Sequence, residues 1–316
     1  MKQGLIQAYI GKDSYSIYTI IGLILRATGH GFQSHIIHLK DSEVINIVDK
    51  VKASLNPYLT TDYANDLDDI IQLSIQKMSS DIPDIMVIPG LLNLIDNNEK
   101  KVKALFKNRP PQMELVISGE ELPQKYLSLM DLVTQVTILK KGDLPHIEII
   151  TGNGKGKTTY CLGKALFYSS SGLSSKICQF IKSPKRYGEV KAIEKIPNLD
   201  IESMGEGFVF SADSQNREKH IIAAKRALHR CKEELESGTF SLYVLDEVHV
   251  AISLGLIDQQ EIWELWDLSN LKDTYLILSG RGAPASLKDR ASIVIEMKEI
   301  KHPYQKGIGA RKGIEY

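Results

Sequence analysis

The stretch His146-Ile-Glu-Ile-Ile-Thr-Gly-Asn-Gly-Lys-Gly-Lys-Thr-Thr159 determines how the whole sequence is interpreted. A short β-branched run leads into several glycines, and a segment with helical periodicity follows Lys157 and Thr158. Glycines allow backbone N–H groups to turn toward an anion, the start of a helix adds a favourable dipole, and a lysine adds a mobile positive charge. The pattern therefore predicts a phosphate-binding loop for a triphosphate, with the Thr158 hydroxyl on Mg²⁺.

One position departs from the usual pattern of such loops. A glycine is expected where this sequence has Thr151, and the glycine is displaced to Gly152. A glycine-rich turn without a ligand is the alternative interpretation. The preceding strand, the Gly-Lys-Thr run and the following helix together favour a phosphate loop. We call Gly152–Thr159 the glycine loop.

An acidic pair, Asp246-Glu247, closes the apolar run Leu242–Leu245. A continuous apolar run of this length is typical of a strand buried on both faces of a parallel sheet. Carboxylates at the end of such a strand, beside a phosphate loop, are where an Mg²⁺ partner belongs. The alternative is a helix N-cap, because aspartate is common there.

The chain also contains an internal repeat. Three glycines near the start each precede a second glycine by 141 residues, the pairs being Gly11 and Gly152, Gly22 and Gly163, and Gly31 and Gly172. The correspondence continues downstream with a larger offset, pairing Ile85–Ile88 with Leu242–Leu245, Glu114–Gly119 with Tyr275–Gly280, and Leu132-Val133 with Ile293-Val294. Registered repetition of this kind indicates two copies of one structural plan.

Each copy alternates short β-branched runs with longer helix-period segments, which is typical of βαβ units. We therefore expect an α/β fold with two tandem P-loop NTPase-like (RecA-like) domains, each a mainly parallel sheet flanked by helices. The predicted domains are residues 1–141 and 142–316, joined by the polar stretch 140–145. In the second copy the predicted strands are 146–151, 177–182, 242–246 and 274–279, and Glu218–Glu236 is predicted to be an amphipathic helix.

The first copy lacks the phosphate-binding residues. The 141-residue offset places Ser16 at the position of Lys157 and Ile17 at that of Thr158. It also replaces two loop glycines by Asp13 and Tyr15, and the acidic pair by Pro89-Gly90. Because an aspartate in such a loop repels phosphate, we expect no ordinary ATP binding in residues 1–141.

Composition excludes several classes of protein. The chain has 39 basic and 39 acidic residues, so it lacks the excess of positive charge expected of a partner of nucleic acid or anionic membrane. No apolar run approaches the roughly 20 residues of a membrane span, and the first residues do not resemble a signal peptide. Three cysteines without a CxxC pair argue against disulfides or a zinc site and predict a cytoplasmic protein.

These residues resemble one family, the P-loop type corrinoid adenosyltransferases, and the resemblance covers Ile147 to Tyr316. The matching motifs, beyond the glycine loop, are Gln179-Phe-Ile-Lys182, Gly188-Glu189, Met204-Gly-Glu-Gly-Phe208, Gln215-Asn-Arg-Glu218, Leu245-Asp-Glu247, Ser279-Gly-Arg281, Lys301-His-Pro303 and Lys312-Gly-Ile-Glu-Tyr316. Several are weak alone, but together and in order they are highly specific.

The resemblance implies transfer of the 5′-deoxyadenosyl group of ATP to the Co(I) of a corrinoid, with release of triphosphate. It implies an ATP loop made of Gly152, Asn153, Gly154, Lys155, Gly156, Lys157, Thr158 and Thr159. Thr158 and Glu247, with Asp246, are the implied Mg²⁺ contacts, and Lys157, Thr158 and Glu247 the implied catalytic set. Co(I) is itself a strong nucleophile, so no side-chain base is required.

In the family a Phe and a Trp two residues apart pack under the corrin ring. The matching positions are Phe208 and Phe210, the second of which replaces the family Trp. The family's Arg-Ala-x-Gly-His-Gly run is kept in the first copy, from Arg26 to Gly31, and lost from the second, around Phe167. We expect the first copy to stand in for one subunit of the family's dimer, as an intramolecular pseudo-dimer with one working site.

Two alternatives stay open, another P-loop ATPase or kinase and a non-catalytic corrinoid or ATP-binding protein. The corrinoid itself, whether cobyrinic acid a,c-diamide, cobinamide or cobalamin, is also open. An electron-donating flavoprotein or another reductant is the expected partner. His249 and His302 are expected to be structural or rim residues, as lone histidines usually are.

Overall fold

A computed structural model describes residues 3–95, 98–142, 146–184, 187–207 and 214–315, with the backbone alone at residues 13 and 214–216. Its strands are β1 (Ile6–Ile10), β2 (Ser34–Leu39), β3 (Leu59–Ala64), β4 (Ile85–Ile88), β5 (Glu114–Gly119), β6 (Leu132–Lys141), β7 (Ile147–Thr151), β8 (Ser175–Gln179), β9 (Leu199–Ser203), β10 (Leu242–Asp246), β11 (Tyr275–Ser279) and β12 (Ile293–Lys301).

The α-helices are α1 (Asp13–Thr28), α2 (Ile45–Lys52), α3 (Leu67–Ser80), α4 (Glu99–Asn108), α5 (Gln124–Leu127), α6 (Lys157–Ser170), α7 (Gly188–Ile193), α8 (Ser214–Ser237), α9 (Val248–Ser253), α10 (Gln259–Leu271) and α11 (Ala285–Arg290). Short 3₁₀ helices lie at Ala53–Leu55, Leu91–Leu94 and Pro303–Lys306. Strands and helices alternate along most of the chain, as the sequence predicts.

All strands belong to one sheet with the order β3-β2-β4-β5-β1-β6-β12-β7-β11-β10-β8-β9. The order from β6 outward on one side is repeated from β12 outward on the other, strand for strand. Among the described strands every neighbouring pair is parallel except β6 with β12, which is antiparallel. The fold is thus a mostly parallel α/β sheet flanked by helices, as predicted, and its two halves are joined edge to edge.

The strand registers of the two halves also agree. Ile6 pairs with Leu115 in one half, and Ile147 pairs with Leu276 in the other. The first two residues of the predicted linker at 140–145 belong to a strand. Lys140 and Lys141 are the last residues of β6 and pair with Val294 and Ile293 of β12. Residues 143–145 lie outside the described ranges.

Two helices cross closely at the centre of one face of the sheet. A Cβ atom added to Gly22 of α1 would lie 1.7 Å from the backbone oxygen of Thr159 in α6, and one added to Gly163 would lie 1.9 Å from that of Tyr18. Only glycine permits this approach of the two backbones. The registered glycines of the repeat are therefore explained in part by a contact between the halves.

Apolar side chains fill both faces of the sheet. One cluster runs across both halves beneath α1 and α6, and a second and third lie on the opposite face, one in each half. Cys161, Cys178 and Cys231 are buried and free. No helix in the described part of the chain is long and apolar enough to cross a membrane.

The predicted strand at 177–182 is shifted toward its N-terminus. The strand β8 begins at Ser175 and ends at Gln179. Its second residue, Lys176, is buried and ion-paired with Glu202 and Glu234. The polar residues Ser175 and Lys176 therefore belong to a buried strand, although apolar periodicity does not predict them to be part of it. The predicted helix at 218–236 is longer than expected, running from Ser214 to Ser237.

Candidate functional site

The glycine loop connects the end of β7 to the start of α6 and lies against the backbone of β12. Gly152 has a φ of +99°, and a Cβ there would lie 2.3 Å from the Met297 oxygen. The N–H of Gly154 donates to the same oxygen at 2.7 Å. Gly156, with a φ of +117°, immediately precedes the helix. Glycine at these positions is required by the backbone, and the loop ends at a helix N-terminus as the pattern predicts.

Lys157 is folded back over the loop and is only 6% exposed. Its Nζ donates to the backbone oxygens of Gly152 and Gly154, each at 2.8 Å. Burial, opposed by the charge of Glu247 and aided by that of Arg281, lowers the pKa of Lys157 to about 8. The lysine therefore holds a desolvated positive charge at the centre of the loop, where an anion would meet it.

Asp246 lies at the end of β10, fully buried beneath the start of α6. Its Oδ1 accepts hydrogen bonds from Thr158 Oγ1 at 3.1 Å and Ser279 Oγ at 2.6 Å. Its Oδ2 accepts from Gln179 Nε2 at 3.0 Å. The structure thus brings Asp246 and Thr158 together. The residue at the N-cap of α9 is Glu247, whose side chain makes no cap hydrogen bond, so the N-cap interpretation is wrong for Asp246.

Glu247 follows with a left-handed backbone, at a φ of 62°. This conformation is costly for a residue other than glycine, and such strain is common at functional sites. Burial, together with the charge of Asp246, raises the pKa of Glu247 to about 6. No described residue donates a hydrogen bond to its carboxylate. A partly desolvated carboxylate without a hydrogen-bond donor, beside Thr158 and Asp246, is suited to bind a divalent cation such as Mg²⁺, which prefers oxygen ligands.

A cavity of about 490 Å³ opens above the glycine loop. Gly154 through Thr159 and Glu247 line it, while Asn153 is exposed outside it. Five further lining residues belong to sequence features named above, namely Arg26, Lys182, Arg281, His302 and Glu315, whereas the sequence did not single out Gln7, Tyr9, Leu23 and Tyr304. Gln7, Tyr9, Leu23 and Arg26 belong to residues 1–141, so the cavity is formed by both halves of the sheet.

The C-terminal segment from His302 to Glu315 forms one wall of this cavity. Glu315 Oε1 accepts from Lys155 Nζ of the glycine loop at 3.0 Å. Arg311 donates to Glu315 and also reaches the first half, where it binds both carboxylate oxygens of the buried Glu114 at 2.8 and 3.0 Å. The segment is therefore held by ion pairs to both halves.

A second group of charges crosses between the halves on the other side of the cavity. Arg26 of α1 binds Glu189 of α7 at 2.9 Å, and Glu189 in turn binds Lys182 at 2.5 Å. Burial would raise the pKa of Glu189, but the charges of Arg26 and Lys182 outweigh it and hold that pKa at about 2. In the sequence, the feature that could have indicated this contact is the Arg-Ala-x-Gly-His-Gly run, which residues 1–141 keep from Arg26 to Gly31.

Other predicted residues are placed as follows. Phe208 and Phe210 lie outside the described residues. His249 is buried, its Nε2 lies 3.2 Å from the Leu278 oxygen, and burial lowers its pKa to about 4, which fits a structural role. His302 lines the cavity rim and accepts the N–H of Tyr304. Within the described ranges no cluster of three or more metal-binding side chains is present.

The first half has its own cleft at the equivalent position, of about 430 Å³. Lys12, Ser14 and Tyr15 replace the glycine loop there, and Pro89-Gly90 replace the acidic pair. Gly90 has a φ of 73°, close to that of Glu247, so the backbone turn is kept while its carboxylate is lost. The glycine loop and the acidic pair are thus confined to the second half.

Known proteins that are similar to this chain include several corrinoid adenosyltransferases. The family model described as ATP:corrinoid adenosyltransferase BtuR/CobO/CobP matches the chain twice, over residues 2–142 and 143–316. A corrinoid adenosyltransferase of Sinorhizobium sp is 33% identical over 172 residues, 54% of this chain and 79% of that protein. One from Pseudomonas aeruginosa is 30% identical over 52% of this chain and 81% of its own. One from Escherichia coli (strain K12) is 29% identical over 63% of this chain and all of its own. The chain therefore belongs to the ATP:corrinoid adenosyltransferase family.

Proposed function

We propose that this protein transfers the 5′-deoxyadenosyl group of ATP to the Co(I) of a corrinoid and releases triphosphate, in the synthesis or salvage of adenosylcobalamin. The observation that carries the proposal is the cavity in which Lys157, Thr158 and Glu247 of one half meet residues of the other. Family membership supplies the reaction class, and the glycine loop supplies a binding site for the triphosphate that leaves.

The glycine loop is suited to hold the triphosphate. Backbone N–H groups at the start of α6 and the Nζ of Lys157 are donors to phosphate oxygens. The desolvated Lys157 exchanges its bonds to Gly152 and Gly154 for bonds to the anion. Donors fixed before the reaction stabilise charge as it develops on the leaving group, and removing one such donor from the oxyanion hole of a protease costs about 10²–10³ in kcat.

The reaction balances without a side-chain base. The cobalt lone pair attacks the ribose C5′, a Co–C bond forms, and the C5′–O bond breaks with its electron pair going to the triphosphate. No proton moves in this step, and the described cavity residues include no carboxylate or histidine that the chemistry needs as a base. The protein's part is to orient ATP and to stabilise the leaving group.

Mg²⁺ fits the oxygen groups beside the loop. We propose that Thr158, Glu247 and Asp246 hold it, directly or through water, as is usual for Mg²⁺ bound to a nucleotide. When bound, it supplies neutralisation of the triphosphate charge. Phe208 and Phe210 are proposed to pack under the corrin ring, and a flavoprotein or another reductant is proposed to deliver Co(I).

Residues 1–141 are proposed to replace one subunit of a family dimer. The repeated strand order, the close α1–α6 crossing and the cavity residues from both halves support this proposal. Expressing residues 142–316 alone tests it. We expect an inactive or insoluble fragment, because the face around Gly163 is then exposed and the buried Glu189 loses its partner Arg26; a fully active, soluble fragment would contradict the idea.

The activity itself is tested by mixing the full chain with ATP, Mg²⁺, a reductant and each candidate corrinoid. A visible spectrum with the bands of an alkyl-cobalt bond, together with intact triphosphate as the product, is expected. ADP or orthophosphate as product would favour a P-loop ATPase or kinase, and binding without turnover would favour a carrier protein. Comparing cobyrinic acid a,c-diamide, cobinamide and cobalamin identifies the preferred substrate.

A further inference from the structure

We propose that Arg26, in the half without a phosphate loop, is a positioning residue that fixes Lys182 in the cavity for contact with the triphosphate, acting through Glu189. The proposal rests on the proposed function and names a role for the first half within it. Arg26 donates Nε to Glu189 Oε2 at 2.9 Å and Nη2 to Oε1 at 3.5 Å. Lys182 donates to the same Oε1 at 2.5 Å.

The side chains of Arg26, Glu189 and Lys182 differ in their exposure to solvent. Glu189 is fully buried and the Arg26 side chain is 7% exposed, whereas the Lys182 side chain, at 23%, reaches the cavity. The guanidinium of Arg26 also donates Nη1 to the Ile314 oxygen at 3.2 Å. One arginine thus fixes the carboxylate that holds Lys182 and the C-terminal segment that forms the opposite wall. Planar, forked donors suit this double task better than a lysine would.

The repeat provides an internal comparison for the role of these charges. The 141-residue offset relates Arg26 to Phe167, Glu189 to Val48, and Lys182 to Asp41. Val48 is fully buried, and Phe167 packs against the same apolar cluster. At the equivalent contact on the other side, the halves are therefore held together without this ion pair.

Packing alone therefore does not require the charges. Apolar residues often replace buried ion pairs without loss of stability. The charged residues Arg26, Glu189 and Lys182 occur only beside the intact glycine loop. The apolar residues Phe167 and Val48 occur on the other side, where the loop is lost. This difference indicates that the charged residues act on the ligand of the glycine loop.

The test replaces the charged pair by its apolar counterpart. The full chain carrying Arg26→Phe and Glu189→Val is expected to keep its melting temperature within a few degrees. Its affinity for inorganic tripolyphosphate with Mg²⁺, measured by calorimetry, is expected to fall at least about tenfold, because Lys182 is no longer held. Phe167→Leu, at the equivalent position on the other side, is the matched control and is expected to leave this affinity unchanged.

A double-mutant comparison separates positioning from general damage. Lys182→Ala alone is expected to weaken tripolyphosphate binding about tenfold, and adding Arg26→Met to it is expected to change the affinity less than about twofold. Glu189→Gln keeps the shape of the side chain and removes its charge. If the variant with Arg26→Phe and Glu189→Val does not fold, the tripolyphosphate affinity of Glu189→Gln is measured in its place and is expected to fall. Unchanged affinity in Arg26→Met and Glu189→Gln, or fully additive effects, would overturn the inference. Tripolyphosphate binding needs neither corrinoid nor reductant, so failure of the adenosyl transfer itself would be seen separately.

Discussion

The two halves of the sheet end in clefts of similar volume but opposite character. Beside the glycine loop stand Arg281 and Lys182; the repeat places Glu120 and Asp41 at the equivalent positions of the first half. Strand order, register and even the left-handed turn at Gly90 and Glu247 are shared. The shared backbone plan thus specifies a cleft, whereas a few side chains determine the charge of that cleft.

Each half nevertheless contributes to the remaining site. The second half keeps Lys157 and Asp246, and the first half keeps Arg26, Tyr9 and Gln7 at the cavity wall. Each half lacks a feature that the other keeps. The first half has Arg26 but no glycine loop, and the second half has the glycine loop but Phe167 at the position equivalent to Arg26. This is the arrangement expected if one site serves the whole chain.

The largest effect is expected from the lysine of the glycine loop. Lys157→Ala removes the cation that meets the triphosphate and is expected to lower kcat/KM for ATP at least about 100-fold. The matched control, Ser16→Ala, changes the equivalent residue of the first half and is expected to leave the rate unchanged. Equal losses from both variants, measured by Co–C bond formation, would show that the two clefts are not different in function.

The next effect concerns the contact between halves. Gly22→Ala is expected to destabilise the protein by about 3 kcal/mol, because its Cβ would meet the Thr159 backbone at 1.7 Å. It is also expected to lower activity, since Thr159 belongs to the glycine loop. Gly309→Ala, where no atom lies within 4 Å of the added Cβ, is the control for unfolding measurements. Normal stability of Gly22→Ala would mean that α1 and α6 do not cross as described.

A smaller effect is expected at the anchor of the C-terminal segment. Glu114→Gln weakens the forked contact with Arg311 and is expected to cost about 2 kcal/mol in unfolding free energy, with a higher KM for ATP. Glu99→Gln serves as the control, because Glu99 pairs with Lys103 and Lys125 at the exposed surface, where such pairs contribute little. Identical behaviour of the two variants would argue against the anchor.

The smallest effect is a pH dependence at Glu189, on the opposite side of the cavity from the C-terminal segment. Glu189 has a pKa lowered from 4.5 to about 2, so its stabilising contribution is complete above about pH 4.5 and is lost as the pH falls toward 2. The stability advantage of the natural chain over Glu189→Gln is therefore expected to shrink by about 1 kcal/mol between pH 5 and pH 3.5. Chemical denaturation at both values measures it, and a constant difference would contradict the ion-pair account.

Much of the second half is readable from its sequence. The glycine loop, the strand before it and the acidic pair lie close together, as their patterns predict, because each is a local signal tied to a strand end. The edge strand β9 is not foreseen, since Leu-Asp-Ile-Glu-Ser has few apolar residues and is mostly half exposed. Local periodicity gives little weight to such a strand.

The composite cavity is the part that sequence reasoning could not supply. Arg26 and Glu189 are 163 residues apart and meet only because β6 and β12 join the half-sheets and α1 crosses α6. Arg311 reaches Glu114 over 197 residues in the same way. No local pattern encodes these contacts, although the unequal retention of the Arg26 run in the two copies points to a shared site.

We propose that each chain has one nucleotide site, which lies in the second half and is completed by the first. Calorimetric titration of the full chain with ATP and Mg²⁺ measures the number of sites. We predict one ATP bound per chain, and no binding at the same concentrations after Lys157→Ala. Two ATP molecules per chain, or one whose binding survives Lys157→Ala, would contradict the claim.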